Sequence, residues 1–239
     1  MRTKLHRMAA AMTGSLLLLT LTSSMAGTGG GNPNPGILPP GSNPLGAGYA
    51  EWAAKAAQYF LSIPTSELPS SVGQSGKVLF PPITLTAPGS NYCAFTIGVG
   101  QSLFMPLLFS IWVNAPGDPG YGLPWDIPFT DPATGKEYPT YEAWVRELMK
   151  ETMDGAVVSL DIDGKPVNDI DVYRAQSVLF DADMPTDNLF GLPAGTYGPN
   201  LTDGWYLMLT PRSPGKHTFT TSIGDSFVFV YEVTVAPGH

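Results

Sequence analysis

Cysteine and histidine are scarce in this chain of 239 residues, which contains one cysteine and three histidines. A single cysteine, Cys93, cannot form an internal disulfide, so the fold must depend on its hydrophobic core. Zinc sites need several His or Cys ligands, and no such group is available. His217 is the one histidine placed to serve a Ser-His-Asp or Cys-His site, but it alternates with Phe219 on a predicted strand, as a structural histidine does. We therefore predict no metal site, no cofactor and no histidine-dependent catalysis.

Basic residues are also few, with 12 Lys and Arg against 20 Asp and Glu, a net charge of −8. An acidic surface repels nucleic acid and anionic lipid, so we expect neither as a partner. The same charge would also serve solubility alone. No Gly-Lys-Ser phosphate loop or dinucleotide-binding glycine motif follows a predicted strand.

The N-terminus has the pattern of a cleaved secretion signal. Three basic residues within the first seven positions precede an apolar run over 8–21, and Ser24-Met25-Ala26 supplies a small-x-small cleavage site. The apolar run is short for a membrane span. Residues 1–26 are therefore predicted to be a signal peptide, and the mature protein to be secreted, extracellular or periplasmic, without membrane contact. Removing three basic residues leaves 9 basic against 20 acidic, a mature charge of −11.

The next segment, 27–48, contains eight glycines and five prolines. This composition predicts a linker, extended at the prolines and loose at the glycines. Residues 49–239 are then predicted to form a single domain, which is long enough to bury a substantial core.

The last third of the chain fixes the predicted fold class. Residues 203–235 contain three strand patterns, and in the last of them apolar side chains recur at every second position, namely Phe227, Phe229, Tyr231, Val233 and Val235. Such alternation is typical of a strand with one buried face, which a second layer must cover. We predict a mostly β fold, an antiparallel β-sandwich of the jelly-roll or immunoglobulin-like type.

Two helices are predicted at the periphery of this sandwich. The first spans Tyr49–Leu61, and the second follows Thr140 as N-cap and ends before Gly155 at C′. Asp163-Gly164 predicts a type I′ hairpin turn after the second helix. The nearby aspartates also suggest calcium, but they lack the EF-hand spacing, so turn chemistry explains Asp163.

The long Pro- and Gly-rich loop 114–138 is the first candidate binding site. Trp125 lies beside Asp126 with Tyr121 nearby, and an aromatic ring next to a carboxylate can stack on a sugar and accept bonds from its hydroxyls. Alternatively, Trp125 pins the loop onto the domain. Clustering of these residues with Asp203 on one rim would indicate a ligand-binding surface.

Several blocks of the sequence resemble a family of exported bacterial proteins of unknown function. These blocks, spread over 49–235, are YAEWAAKAAQYFLSIP, VGQSGKVLF, MDGAVVSLDIDGKPV, YRAQSVLF, GLPAGTY and DGWYLMLTPRSPGKHTF. The resemblance implies a single secreted domain, a β-sandwich, with no catalytic residues to transfer. Cys93 matches one of two family cysteines, whereas Ser70 stands where the other is expected, which leaves Cys93 as a thiol.

Two functions remain open from the sequence. The first is a non-catalytic extracellular binding or surface module whose partner is a glycan or a surface protein. The second is a secreted hydrolase that uses paired carboxylates. Because no nucleophile motif is present, the residues do not identify an enzyme.

Overall fold

The computed structural model describes residues 34–68, 72–82 and 89–237. The predicted signal peptide, Ser70 and His239 lie outside these ranges.

The fold is mostly β, with two α-helices, α1 (Tyr49–Ser62) and α2 (Tyr141–Met153). The strands are β1 (Ile37–Leu38), β2 (Gly73–Ser75), β3 (Val78–Phe80), β4 (Gly89–Gly98), β5 (Ser102–Trp112), β6 (Phe129–Thr130), β7 (Glu137–Tyr138), β8 (Val158–Ile162), β9 (Lys165–Pro166), β10 (Arg174–Gln176), β11 (Phe180–Met184), β12 (Gly195–Leu209), β13 (Gly215–Ile223) and β14 (Phe227–Ala236). Within the described ranges, no helix has both the length and the apolar character needed to cross a bilayer.

The strands form two larger sheets, and both sheets are mixed. One has the order β1-β12-β5-β3-β2, with β10 and β11 also paired to β12, and the other has the order β4-β14-β13-β8-β9. A purely antiparallel arrangement is wrong, because β4 runs parallel to β14 over ten positions and β3 runs parallel to β5. Parallel neighbours require a long crossover, and the whole chain between β4 and β14 supplies it.

Strand β12 is the centre of the first sheet rather than a neighbour of the last two strands. It is 15 residues long and pairs antiparallel with β5, whereas β13 and β14 pair with each other in the second sheet. Every residue from Asn200 to Leu209 is buried, so both faces of β12 are covered. A bulge beside Pro106 in β5 accommodates the proline that cannot donate to the ladder.

Helix α1 covers one face of the β5–β12 pair. Its buried stripe contains four alanines beside Trp52, and these small side chains let the helix approach the sheet closely. The Trp52 ring lies 6.4 Å from that of Phe104, which stacks on Tyr206 at 5.4 Å. The predicted bounds of this helix are confirmed to within one residue.

Helix α2 covers part of the opposite face. Thr140 is its N-cap, as predicted, since the Thr140 hydroxyl accepts a 3.0 Å bond from the Ala143 N–H. Its buried stripe packs on Trp112 and Leu201, at one end of the β5–β12 pair.

The second sheet lies over the remainder of that face. Leu207 and Leu209 of β12 share one hydrophobic cluster with Phe219 and Val233 of the second sheet. The alternation predicted for β14 is confirmed, because Phe229, Tyr231, Val233 and Val235 are all buried. The two sheets therefore bury their apolar faces against a common core.

The described part of the predicted linker, residues 34–48, belongs to the fold. Ile37 is 2% exposed and pairs with Leu209 through β1, and the Asn34 amide donates a 3.1 Å bond to the Tyr173 hydroxyl. The apolar pair Ile37-Leu38, which lies among prolines, forms strand β1 against β12. The ordered domain thus begins before residue 49.

The predicted hairpin turn after α2 is confirmed. Asp163 and Gly164 both have positive φ, 53° and 77°, between β8 and β9. After this hairpin, Ile170–Tyr173 forms a turn of 3₁₀-helix, and β10 begins at Arg174.

Candidate functional site

The loop that carries Trp125 is fastened to α2. The carbonyls of Ile127 and Trp125 accept 2.9 Å and 3.0 Å bonds from the N–H groups of Tyr141 and Glu142, which have no partner within the helix. Gly120, with φ +82°, lies so close to Tyr141 that an added Cβ would meet the ring at 2.5 Å. The loop therefore serves as the N-terminal cover of α2.

Trp125 lies inside this packing. Its side chain is 7% exposed and contacts Tyr141 edge-on, with ring centroids 5.1 Å apart. Tyr121 and Asp126 are exposed on the same loop. The structure thus brings Tyr121 and Asp126 to the surface but leaves no exposed Trp125 face on which a sugar could stack.

Asp203 lies elsewhere, at the base of a charged cleft between α2 and β10. The carboxylate is 1% exposed and accepts two 3.0 Å bonds from Arg174, one from Nε and one from Nη2. Gln176 Nε2 donates a third bond of 3.1 Å. Such bidentate, charge-assisted contacts compensate a buried carboxylate. Of the four predicted site residues, Asp203 is the one that lines this cleft.

Arg174 connects the base of the cleft with the end of α2. Its Nη1 donates to Asp154 at 2.7 Å, its Nη2 donates to the Lys150 carbonyl at 3.0 Å, and its guanidinium lies 5.2 Å from the Trp205 ring centroid. Every guanidinium nitrogen of Arg174 is therefore bonded. The cleft has a volume of about 700 Å³ and is open to solvent.

Asp154 and Asp203 in this cleft are ion-pair partners of one arginine. A general acid needs a raised pKa, whereas hydrogen bonds from Lys150 and then Arg174 lower the pKa of Asp154. Asp203 is bonded to the same arginine. The arrangement anchors α2 to β12 through two carboxylates that are both paired with Arg174.

His217 and Cys93 have structural surroundings. The two ring nitrogens of His217 lie 2.8 Å from Asp163 Oδ2 and 3.0 Å from the Ser213 carbonyl. Burial alone would raise the pKa of Asp163, but the bonds from His217 and the Thr218 N–H outweigh it and lower that pKa. Cys93 is half-buried, and burial raises the pKa of its thiol.

Among the described residues, the most exposed aromatic ring lies on the outward face of the second sheet. Tyr92 of β4 is 64% exposed, and its neighbour across the ladder is Val230 of β14, which pairs in turn with Thr220 of β13. We call this surface the Tyr92 face; it consists of Tyr92, Ala94, Thr96, Lys216, Thr218, Thr220, Ser222, Val228, Val230, Glu232 and Thr234. Most of these side chains are small hydroxyls or β-branched groups, and Tyr92 is the one aromatic ring among them.

One ion pair crosses the Tyr92 face. Lys216 Nζ lies 2.7 Å from Glu232 Oε1. The hydrogen bond to Glu232 raises the pKa of Lys216. The face thus combines an exposed ring, several hydroxyls and one charged pair on adjacent strands.

The sequence contained a signal for this surface. In β4, Cys93, Phe95 and Ile97 alternate with Tyr92, Ala94 and Thr96, so the large apolar set and the mixed set point to opposite faces. Tyr92 is the one large ring in the mixed set. Its exposure follows from that alternation.

No group of three or more His, Cys, Asp or Glu residues that could hold a metal ion occurs among residues 34–68, 72–82 and 89–237.

No family model and no curated protein sequence matches this chain. Among solved structures, a chain from "Structure of PbICP-C in complex with falcipain-2" is 11% identical, and the match covers 67% of this chain and 99% of that chain. The TM-score is 0.24, which is too low to indicate a shared fold.

Proposed function

We propose that this protein is an exported, non-catalytic binding module that holds a neutral glycan on the Tyr92 face. The observation that carries the proposal is the exposed Tyr92 ring on a sheet surface lined by hydroxyl side chains. A pyranose ring has an apolar face that packs on an aromatic ring, and hydroxyls that bond to Thr, Ser, Lys and Glu side chains.

The charge balance favours a neutral ligand. The mature chain would carry 9 basic and 20 acidic residues, and the Tyr92 face adds one lysine against one glutamate. An anionic polymer would be repelled by the remainder of the surface. A neutral polysaccharide would not be repelled.

The scaffold supports a preformed site. The ladder between β4 and β14 extends over ten positions, and β13 pairs with β14 over nine, so the strands that present the face are held in fixed register. We further propose that the two larger sheets form a β-sandwich, which their shared hydrophobic cluster supports. A rigid sheet loses little conformational entropy when it binds.

The test is a binding screen with soluble neutral oligosaccharides, such as cellohexaose, chitohexaose and maltohexaose, followed by isothermal titration. For a glycan that binds, Tyr92→Ala should raise Kd by about tenfold or more, which corresponds to about 1.4 kcal/mol. Tyr121→Ala is the matched control, since Tyr121 is also exposed but lies in the loop, and it should leave Kd unchanged.

The screen also separates the alternatives. Loss of binding in Tyr121→Ala with retention in Tyr92→Ala would place the site in the loop 114–138. Release of reducing ends from any of the same oligosaccharides would favour a hydrolase that uses paired carboxylates.

A further inference from the structure

We propose that the neutral glycan held on the Tyr92 face carries acetamido groups, and that the pair Val230–Thr220 is the subsite that receives one of them. This inference rests on the proposed function and names the class of sugar that the same surface would take. Val230 of β14 and Thr220 of β13 lie directly opposite one another in an antiparallel ladder. Side chains in such a pair project from the same side of the sheet, with Cβ atoms about 4.5–5.5 Å apart.

Strand β14 gives the Tyr92 face an apolar region. Val228 and Val230 are half-buried on its outward side, and Val230 is the ladder partner of Tyr92 in β4. Threonine has nearly the same branched shape and the same preference for strands as valine, and it occupies the opposite position of β13 at Thr220. Strand geometry alone therefore does not require valine here. The Val230 methyl groups offer a ligand an apolar contact next to Tyr92.

The strands on the other side of β14 give the same face a polar region. Thr220 of β13 pairs with Asp161 of β8, which is half-buried. A hydroxyl group can donate or accept a hydrogen bond, whereas an ionised carboxylate only accepts. Four adjacent strands thus present, in order, an aromatic ring, methyl groups, a hydroxyl and a carboxylate, on Tyr92, Val230, Thr220 and Asp161.

An acetamido group matches the middle of this row. It consists of a methyl group, an N–H donor and a carbonyl acceptor. Its methyl group can pack on Val230 while its amide bonds to the Thr220 hydroxyl, which serves as either donor or acceptor. A sugar hydroxyl in the same position could bond to Thr220, but it would bring no apolar group to Val230. The pair therefore favours an N-acetylated sugar over one that carries only hydroxyls.

The row also gives the glycan a direction. Neighbouring strands lie about 4.8 Å apart, so the row extends across three such spacings from Tyr92 to Asp161. A chain of linked sugars that crosses the strands would place one ring against Tyr92 and later rings toward Asp161. The Asp161 carboxylate can accept hydrogen bonds from sugar hydroxyls, and its charge disfavours acidic sugars.

The experiment compares chitohexaose with cellohexaose by isothermal titration of the purified protein. These two probes have the same number of rings and the same linkage, and they differ in whether C2 carries an acetamido group or a hydroxyl. Chitohexaose should bind with a Kd about tenfold lower, a difference of about 1.4 kcal/mol. Tyr92→Ala should weaken the binding of both probes.

Val230→Thr tests the subsite directly, because it retains the branched shape and replaces one methyl group with a hydroxyl. It should raise the Kd for chitohexaose about threefold to fivefold and leave the Kd for cellohexaose unchanged. Val178→Thr is the matched control, since Val178 is an exposed valine between β10 and β11, outside the Tyr92 face. It should change neither Kd. Urea unfolding midpoints would show that both variants are folded.

The outcomes separate this inference from the proposed function. If cellohexaose binds as tightly as chitohexaose or more tightly, and Tyr92→Ala still weakens both, the acetamido inference is wrong and the glycan-binding function stands. The same conclusion follows if Val230→Thr weakens both probes equally, or if maltohexaose binds through Tyr92 and the other two do not. If none of the three oligosaccharides binds, or if binding survives Tyr92→Ala, both the inference and the proposed function are wrong.

Discussion

The charged cleft beneath α2 and the Tyr92 face differ in how their polar groups are used. In the cleft, Arg174 bonds to Asp203, Asp154 and a backbone carbonyl, and its guanidinium lies over Trp205. On the Tyr92 face, β4 pairs with β14 over ten positions through backbone hydrogen bonds, and the side chains point into solvent. The polar groups of the cleft bond to one another and link α2 to β12. The Tyr92 face has hydrogen-bond donors, acceptors and an aromatic ring that are available to a ligand.

This difference shows why charge density is a poor guide to a binding site. The cleft is the more conspicuous feature, yet a ligand that entered it would have to break bonds that already compensate a buried carboxylate. The Tyr92 face contains fewer charges, so a ligand that binds there has fewer existing bonds to break. Substitutions in the cleft should therefore change the stability of the fold, and substitutions on the Tyr92 face should change the affinity for ligand.

The largest expected effect is in the cleft. Arg174→Met retains the apolar stem over Trp205 but leaves the Asp203 carboxylate, 1% exposed, without its cation. We expect a loss of about 3–5 kcal/mol in the free energy of unfolding, measured by urea denaturation. Lys216→Met is the control, because it breaks the exposed Lys216–Glu232 pair, and the unfolding midpoint should stay the same.

A second variant distinguishes charge from packing. The double change Arg174→Met and Asp203→Leu removes both partners, and apolar replacement of a whole buried pair is often neutral. Substantial recovery of stability is expected relative to Arg174→Met. If the single variant is as stable as the native protein, the cleft is not the anchor described above.

Trp125→Ala tests the loop, and we expect its effect to lie near the lower end of the range given for Arg174→Met. The indole is 7% exposed against Tyr141, and removal of a buried Trp costs about 3 kcal/mol or more. Differential scanning calorimetry should show a lower Tm. Tyr121→Ala, on the exposed part of the same loop, is the control and should leave Tm unchanged. An unchanged Tm in Trp125→Ala would restore the loop as a candidate ligand site.

The smallest effect concerns acid stability. The pKa of Asp154 is lowered by Lys150 and Arg174, so the folded state binds its proton less readily than the unfolded state, whose Asp pKa is about 3.9. This contribution is present above that pH and is lost as pH falls through the folded pKa. Asp154→Asn should therefore cost about 0.5 kcal/mol at pH 7, with the difference narrowing below about pH 4.

The elements that the sequence predicted correctly are those set by local patterns. Thr140 and Gly155 delimited α2, the Asp163-Gly164 pair gave a turn with two positive φ angles, and alternation in β14 identified its buried face. Each of these features depends on residues within a few positions of one another. Local sequence preferences were therefore sufficient to predict these elements.

Partners distant in the sequence were not predictable in the same way. The parallel pairing of β4 with β14 joins segments more than a hundred residues apart, and no local pattern specifies direction. Trp125 sits among prolines and glycines, so no periodicity distinguished a buried indole from an exposed one. Asp203 was singled out, but its pairing with Arg174 required the register of β10 on β12.

Ligand is expected to bind on the Tyr92 face and not in the cleft or the loop. The most direct measurement is a titration of the ¹⁵N-labelled protein with the neutral oligosaccharide that binds in the screen, followed by amide chemical shifts. We expect the largest changes at Tyr92, Thr218 and Val230. Changes confined to the loop 114–138, or to the residues around Arg174, would contradict the claim.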